Sequence, residues 1–106
     1  MDAQLRKGIL ELCVLAVLRE QDSYGYQIIK DVSEYIEISE STLYPILRRL
    51  ETEGKVESYN TEYNNRIRKY HRLTELGQRT LQEFANDKEK LIRLIAWIGG
   101  EQDDKN

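Results

Sequence analysis

Apolar positions recur along the chain in four helical stretches, broken once by strand-like alternation. In residues 3–20, Leu5, Ile9, Leu12, Cys13, Ala16 and Val17 follow helical spacing, and from Ile9 to Leu18 only Glu11 is polar. A surface helix needs one apolar stripe, whereas this one is apolar nearly all round. A small domain can hardly surround such a helix. One face is therefore assigned to the core and another, with Leu5, Ile9 and Leu12, to a partner subunit. Residues 24–35 predict a second helix, with Ser23 as N-cap and Ile28, Ile29 and Val32 as its buried edge. Residues 39–53 predict a third, opened by Ser39 and closed by Gly54. Its stripe of Leu43, Ile46, Leu47 and Leu50 runs through Pro45, which removes one hydrogen bond to Ser41.

Over residues 55–73 the period changes to that of strands, in VESYNTEY and RIRKYHRL. Asn64-Asn65 between them suits a two-residue hairpin turn, because Asn accepts positive φ. Thr74 then caps a last helix expected to run unbroken over residues 75–98. Gly77, Leu81, Phe84, Lys88, Leu91, Ile95 and Ile98 form a heptad seam along it, with Leu76, Ile92, Leu94 and Trp97 alongside. Such a helix is about 36 Å long, more than this domain can cover. Leu81, Phe84, Lys88, Leu91, Ile95 and Ile98 are accordingly assigned to a homodimer interface, and the polar tail from Glu101 is expected to fray. The fold class is mainly α with a small β-hairpin: a winged helix-turn-helix over residues 1–74, then a dimerisation helix and tail over residues 75–106.

Composition narrows the function. At 106 residues and 12.5 kDa, with 40% hydrophobic and 33% charged residues, the chain is one globular domain. One cysteine (Cys13) excludes an internal disulfide framework, and one histidine (His71) excludes a multi-histidine metal site. No glycine-rich phosphate loop, acid/base pair or nucleophile motif is present, so neither catalytic residues nor a metal or cofactor is expected. The longest apolar run, residues 12–18, is too short to span a bilayer, and no signal peptide is expected before it, because Asp2, Gln4 and Glu11 interrupt such a pattern. A cytoplasmic protein without membrane contact is the expectation.

The net charge of −3 hides a segregation. Residues 1–35 carry four basic and six acidic groups, as do residues 80–106, whereas residues 63–74 carry four basic groups and no acid. Surface fields follow distribution rather than the sum. On the third helix, Ser41, Pro45, Arg48 and Thr52 lie opposite the apolar stripe, with Tyr44 flanking them on one side and Thr42 and Arg49 on the other. Hydroxyls and guanidinium groups near a helix N-terminus suit major-groove readout, although an ordinary solvated face would look similar. In the hairpin, Arg66 and Arg68 share a face with Tyr70 and Arg72, while Lys69 lies on the other with Ile67, His71 and Leu73. Arg66, Arg68 and Lys69 suit phosphates, and edge-strand protection is the alternative. Tyr24, Tyr26 and Lys30, at and after the start of the second helix, are further candidate phosphate contacts, with a core place for Tyr24 and a solvated one for Lys30 as the alternatives. Sequence-specific recognition of double-stranded DNA is the leading reading; a winged-helix module that binds only protein is the alternative.

The segments LRKGILELCVLAVL, DSYGYQIIKDV, ISESTLYPILRRLETEGKVES and RKYHRLTELGQ together resemble the PadR family of transcriptional regulators, of the short type with a single C-terminal helix. The resemblance implies a winged-helix DNA-binding domain and a homodimer held by the first and last helices. It also implies repression of a nearby promoter, often relieved by a small-molecule effector. Ser41 departs from a frequent glycine, and His71 from a common wing tyrosine.

Overall fold

The computed structural model describes residues 1–101; the tail expected to fray lies almost wholly outside them. Helix α1 (Ala3–Glu20) is opened by Asp2, whose carboxylate accepts from the N–H groups of Gln4 and Leu5 at 3.2 and 3.3 Å. It buries Leu10, Val14, Leu15 and Leu18, while Leu5 stays exposed and Leu12, Cys13, Ala16 and Val17 are only partly covered. One apolar face of this helix is thus buried and another is left partly open. A short strand, β1 (Ser23–Tyr24), follows and leads directly into α2 (Gly25–Ser33). Ser23, expected to cap α2, is instead a buried strand residue, and Tyr24 occupies the cap position.

Helix α3 (Glu40–Thr52) continues through the exposed Pro45, and its stripe of Leu43, Ile46, Leu47 and Leu50 is wholly buried. Its end is a Schellman motif. Gly54 takes a φ of +78°, its N–H reaches the carbonyl of Glu51 at 3.0 Å, and the N–H of Lys55 reaches that of Leu50 at 2.9 Å. Strands β2 (Val56–Tyr63) and β3 (Arg66–Leu73) form the hairpin, with Asn64 and Asn65 at φ 51° and 63° in its turn. The sheet is antiparallel in the order β1-β3-β2.

The C-terminal helix is not continuous. It comprises α4 (Glu75–Asn86) and α5 (Lys88–Ile98), separated at Asp87 (φ −92°, ψ 10°). Asn and Asp compete for backbone hydrogen bonds and are weak helix formers, and Asn86-Asp87 stand together here. The N–H of Asp87 turns to the carbonyl of Phe84, yet that of Leu91 still reaches Asp87 at 2.8 Å, so the distortion spans a single residue. The start of the seam also faces elsewhere than expected. Leu81, assigned to the dimer interface, is buried in this chain's own core because α4 lies against α1. Gly77 abuts the base of the hairpin, where a Cβ would overlap the carbonyl oxygen of Lys55 and the side chain of Leu73. Thr74 caps α4 by accepting from the N–H of Gly77 at 3.1 Å and donates to the carbonyl of Gly54 at 2.7 Å.

Beyond Leu81 the arm leaves the domain. No residue of α5 is buried, and Ile92, Ile95, Trp97 and Ile98 are more than half exposed. The long axis reaches 64 Å against 26 and 21 Å across, and the radius of gyration is 16.3 Å. A compact chain of this size has about 13 Å. Among the described residues, no helix is long and apolar enough to cross a membrane.

Candidate nucleic-acid interface

Burial of the apolar stripe turns the other side of α3 outward. Ser41, Tyr44, Pro45 and Arg48 are exposed and Thr42 is half-buried. At the N-terminus of α3, Ser39 does not cap the backbone: its hydroxyl donates to Thr42 Oγ1 at 3.2 Å and lies 3.1 Å from Ser41 Oγ. A cluster of three hydroxyls therefore marks this end of the helix. Tyr44 crosses to the start of α2, and its ring fills the space that a side chain on Gly25 would need.

The two arginines of α3 differ in circumstance. Among the described residues, Arg48 has no carboxylate within 4.0 Å. Arg49 lies 3.2 Å from Glu53 and 3.6 Å from Glu11 on α1. The hydrogen bond from Arg49 holds the Glu53 carboxyl below its ordinary range, and Glu53, then Glu11, hold the Arg49 guanidinium above its own. Arg49, grouped with the DNA-facing residues from its place on the helix, thus pairs with Glu53 on α3 and with Glu11 across to α1. On α2, Tyr26 and Lys30 are exposed one turn apart, with Lys30 Nζ 5.9 Å from the Tyr26 ring centroid.

The hairpin divides as alternation requires. Its inner face packs Val56, Leu73 and His71 toward the domain, and toward the turn the same face carries Lys69 and a 76% exposed Ile67. Its outer face carries Arg66, Arg68, Tyr70 and Arg72 on β3, flanked by Tyr24 on β1 and by Tyr59 and Tyr63 on β2. Arg72 is held by Glu57 at 3.2 Å and lies over the Tyr59 ring. Tyr59 donates to Asp22 at 2.6 Å, and that bond raises its phenol pKa. Tyr24 lies on this face as a strand residue rather than at a helix start, and Tyr59 and Tyr63 join it without having been among the candidates. The two β2 tyrosines could have been found by counting outward from the Asn-Asn turn, whereas Tyr24 depends on the unforeseen strand β1.

Beneath the wing, His71 is 4% exposed, and its Nδ1 lies 3.8 Å from Glu51, which accepts from Ser58 at 2.9 Å. Burial pushes the imidazole pKa below its ordinary value; Glu51 partly opposes this. No group of three or more His, Cys, Asp or Glu residues among those described could hold a metal ion.

Residues 14–83 match the model of the transcriptional regulator PadR-like family. A PadR-family regulator from Eggerthella lenta superposes with a TM-score of 0.79 at 35% identity, over 93% of this chain and 88% of that one. A transcriptional regulator of Mycobacterium tuberculosis is 27% identical over 99 residues, 92% of this chain and 91% of the relative. PadR of Bacillus subtilis, solved in complex with operator DNA, shares the fold with a TM-score of 0.67 at 24% identity, over 73% of this chain and 46% of that one. The chain belongs to the PadR-like family and is a transcription regulator, not an enzyme.

Proposed function

We propose that this regulator binds double-stranded DNA sequence-specifically as a homodimer and represses by occupying its operator. The observation that carries the reading is the pairing of two unlike surfaces on one small domain. One is a helix face with hydroxyls, Tyr44 and Arg48, which has no carboxylate partner among the described residues; the other is a wing with Arg66, Arg68 and Lys69. The first suits base edges and the second suits phosphates. The operator complex of the Bacillus subtilis relative supports the same partner. The arm supports dimerisation, because Phe84, Ile92, Ile95, Trp97 and Ile98 together form an apolar surface that a monomer would leave in water. Leu5 and the half-covered Ile9 and Leu12 on α1, with Lys88 and Leu91 at the start of α5, complete the proposed interface. A location in the cytoplasm accords with this role, as does relief of repression by a small molecule.

Selection of bound fragments from random duplex DNA by the purified protein, followed by competition with non-specific DNA, tests the reading. Enrichment of a two-fold symmetric site is expected. Recovery of no preferred sequence would leave the protein-interaction alternative as the better account.

A further inference from the structure

The outer face of the wing holds one cation in an unusual setting. Tyr24, Tyr70 and Tyr59 stand in register across β1, β3 and β2, with ring centroids 5.4 and 5.9 Å apart. Arg68 lies one pleat nearer the turn, and its diagonal neighbours on the flanking strands are Tyr24 and Tyr63. Its Cζ lies over both rings, 4.1 Å from the centroid of Tyr24 and 4.5 Å from that of Tyr63. Guanidinium donors lie in the plane of the group; one is turned to the Tyr70 hydroxyl, and the contacts with the two rings leave others free. Among the described residues, no carboxylate lies within 4.0 Å of Arg68, whereas Arg72 on the same face is neutralised by Glu57.

An arginine that must order itself on binding loses rotamer freedom at that moment. Arg68 is ordered beforehand. Its clamp is also tied to α3, since Tyr24 directly precedes Gly25, on which Tyr44 rests. We propose that Tyr24 and Tyr63 are positioning residues that hold Arg68 in a fixed geometry for one phosphodiester group of the DNA backbone, in register with the recognition helix. The proposal rests on the DNA-binding reading above and adds to it two residues whose contribution passes through Arg68.

Titration of a labelled duplex carrying the preferred site, at several salt concentrations, tests it. Tyr63 is 54% exposed, so its replacement leaves the fold intact, as an unchanged urea midpoint would verify. Tyr63→Leu should weaken binding roughly 2- to 10-fold at every salt concentration with an unchanged salt slope, because the cation remains but is no longer pre-ordered. Tyr63→Phe keeps the ring and should bind like the wild type. Arg68→Ala should lower the slope by about 1, and Tyr63→Leu should then cost nothing further. Without DNA, the Arg68 Nε–H proton should carry a ring-current shift that Tyr63→Leu reduces. Equal losses for Tyr63→Leu with and without Arg68, or equal losses for the Phe and Leu variants, would overturn the clamp while leaving DNA binding standing. A wild-type protein that bound no duplex would instead overturn the reading on which the clamp rests.

Discussion

Tyr44 of α3 lies against Gly25 of α2 so closely that a Cβ on Gly25 would overlap the phenol oxygen. This is one of the contacts between α3 and the start of α2. Gly25→Ala should therefore cost about 1–3 kcal/mol by overpacking. In a Tyr44→Ala background the same change should cost much less, since the obstructing ring is gone. Urea denaturation of the four proteins in this cycle measures the coupling. Equal costs in both backgrounds would show that the contact does not constrain α2 and α3.

The junction between α3, the hairpin and α4 offers a second contrast. Thr74→Ala removes the cap on Gly77 and the bond to Gly54, at a cost of about 0.5–2 kcal/mol. Gly77→Ala should cost more, because its Cβ meets a backbone carbonyl that cannot swing aside. Thermal unfolding of both variants checks the order, which a milder Gly77→Ala would reverse.

His71 makes stability depend on pH. The folded protein holds this proton less tightly than the unfolded chain, whose imidazole titrates near its ordinary value of about 6.5. Between the folded and unfolded values the unfolded state binds more protons, so stability rises with pH. The contribution is complete above about 6.5 and is lost as pH falls through the lower folded value. Urea midpoints should fall from pH 7 toward pH 5 in the wild type, and His71→Gln should flatten that part of the curve. A variant with an unchanged slope would assign the dependence to other groups.

Ile95 is 67% exposed in the single chain, so Ile95→Asp should not harm the isolated fold. In a dimer that buries the seam, the same carboxylate would be desolvated without a partner, at several kcal/mol. Sedimentation should therefore show dimers for the wild type and folded monomers for the variant. A monomeric wild type at high micromolar concentration would contradict the proposed interface.

These contacts differ in how far the sequence discloses them. The hairpin register was legible because Asn64-Asn65 allows positive φ at both turn positions. The stripe of α3 was legible because its period is local. A two-residue strand such as β1 has no period, so Tyr24 was read as helical. The break at Asp87 leaves no mark on the apolar pattern, because the seam keeps its spacing across a one-residue distortion. Heptad spacing says that Leu81 is buried but not by which neighbour. Arg49 pairs with a residue on another helix, and helix position alone does not disclose that partner.

The adjacent arginines of α3 supply the sharpest test of the interface. Arg48 has an open guanidinium on the face with Ser41 and Tyr44, whereas Arg49 is engaged by Glu53 and Glu11. To contact DNA, Arg49 would first have to leave those carboxylates. Arg48→Ala should weaken the preferred duplex by about 1–3 kcal/mol and random DNA much less, as expected for a lost base contact. Arg49→Ala should change both affinities only slightly, and its effect on stability should be within about 1 kcal/mol, as for an exposed ion pair. One set of competition titrations against specific and random duplexes measures both variants. Equal loss of specific and random binding in Arg48→Ala would remove its recognition role. A loss in Arg49→Ala as large as that in Arg48→Ala would mean that Arg49 breaks its ion pairs on the DNA.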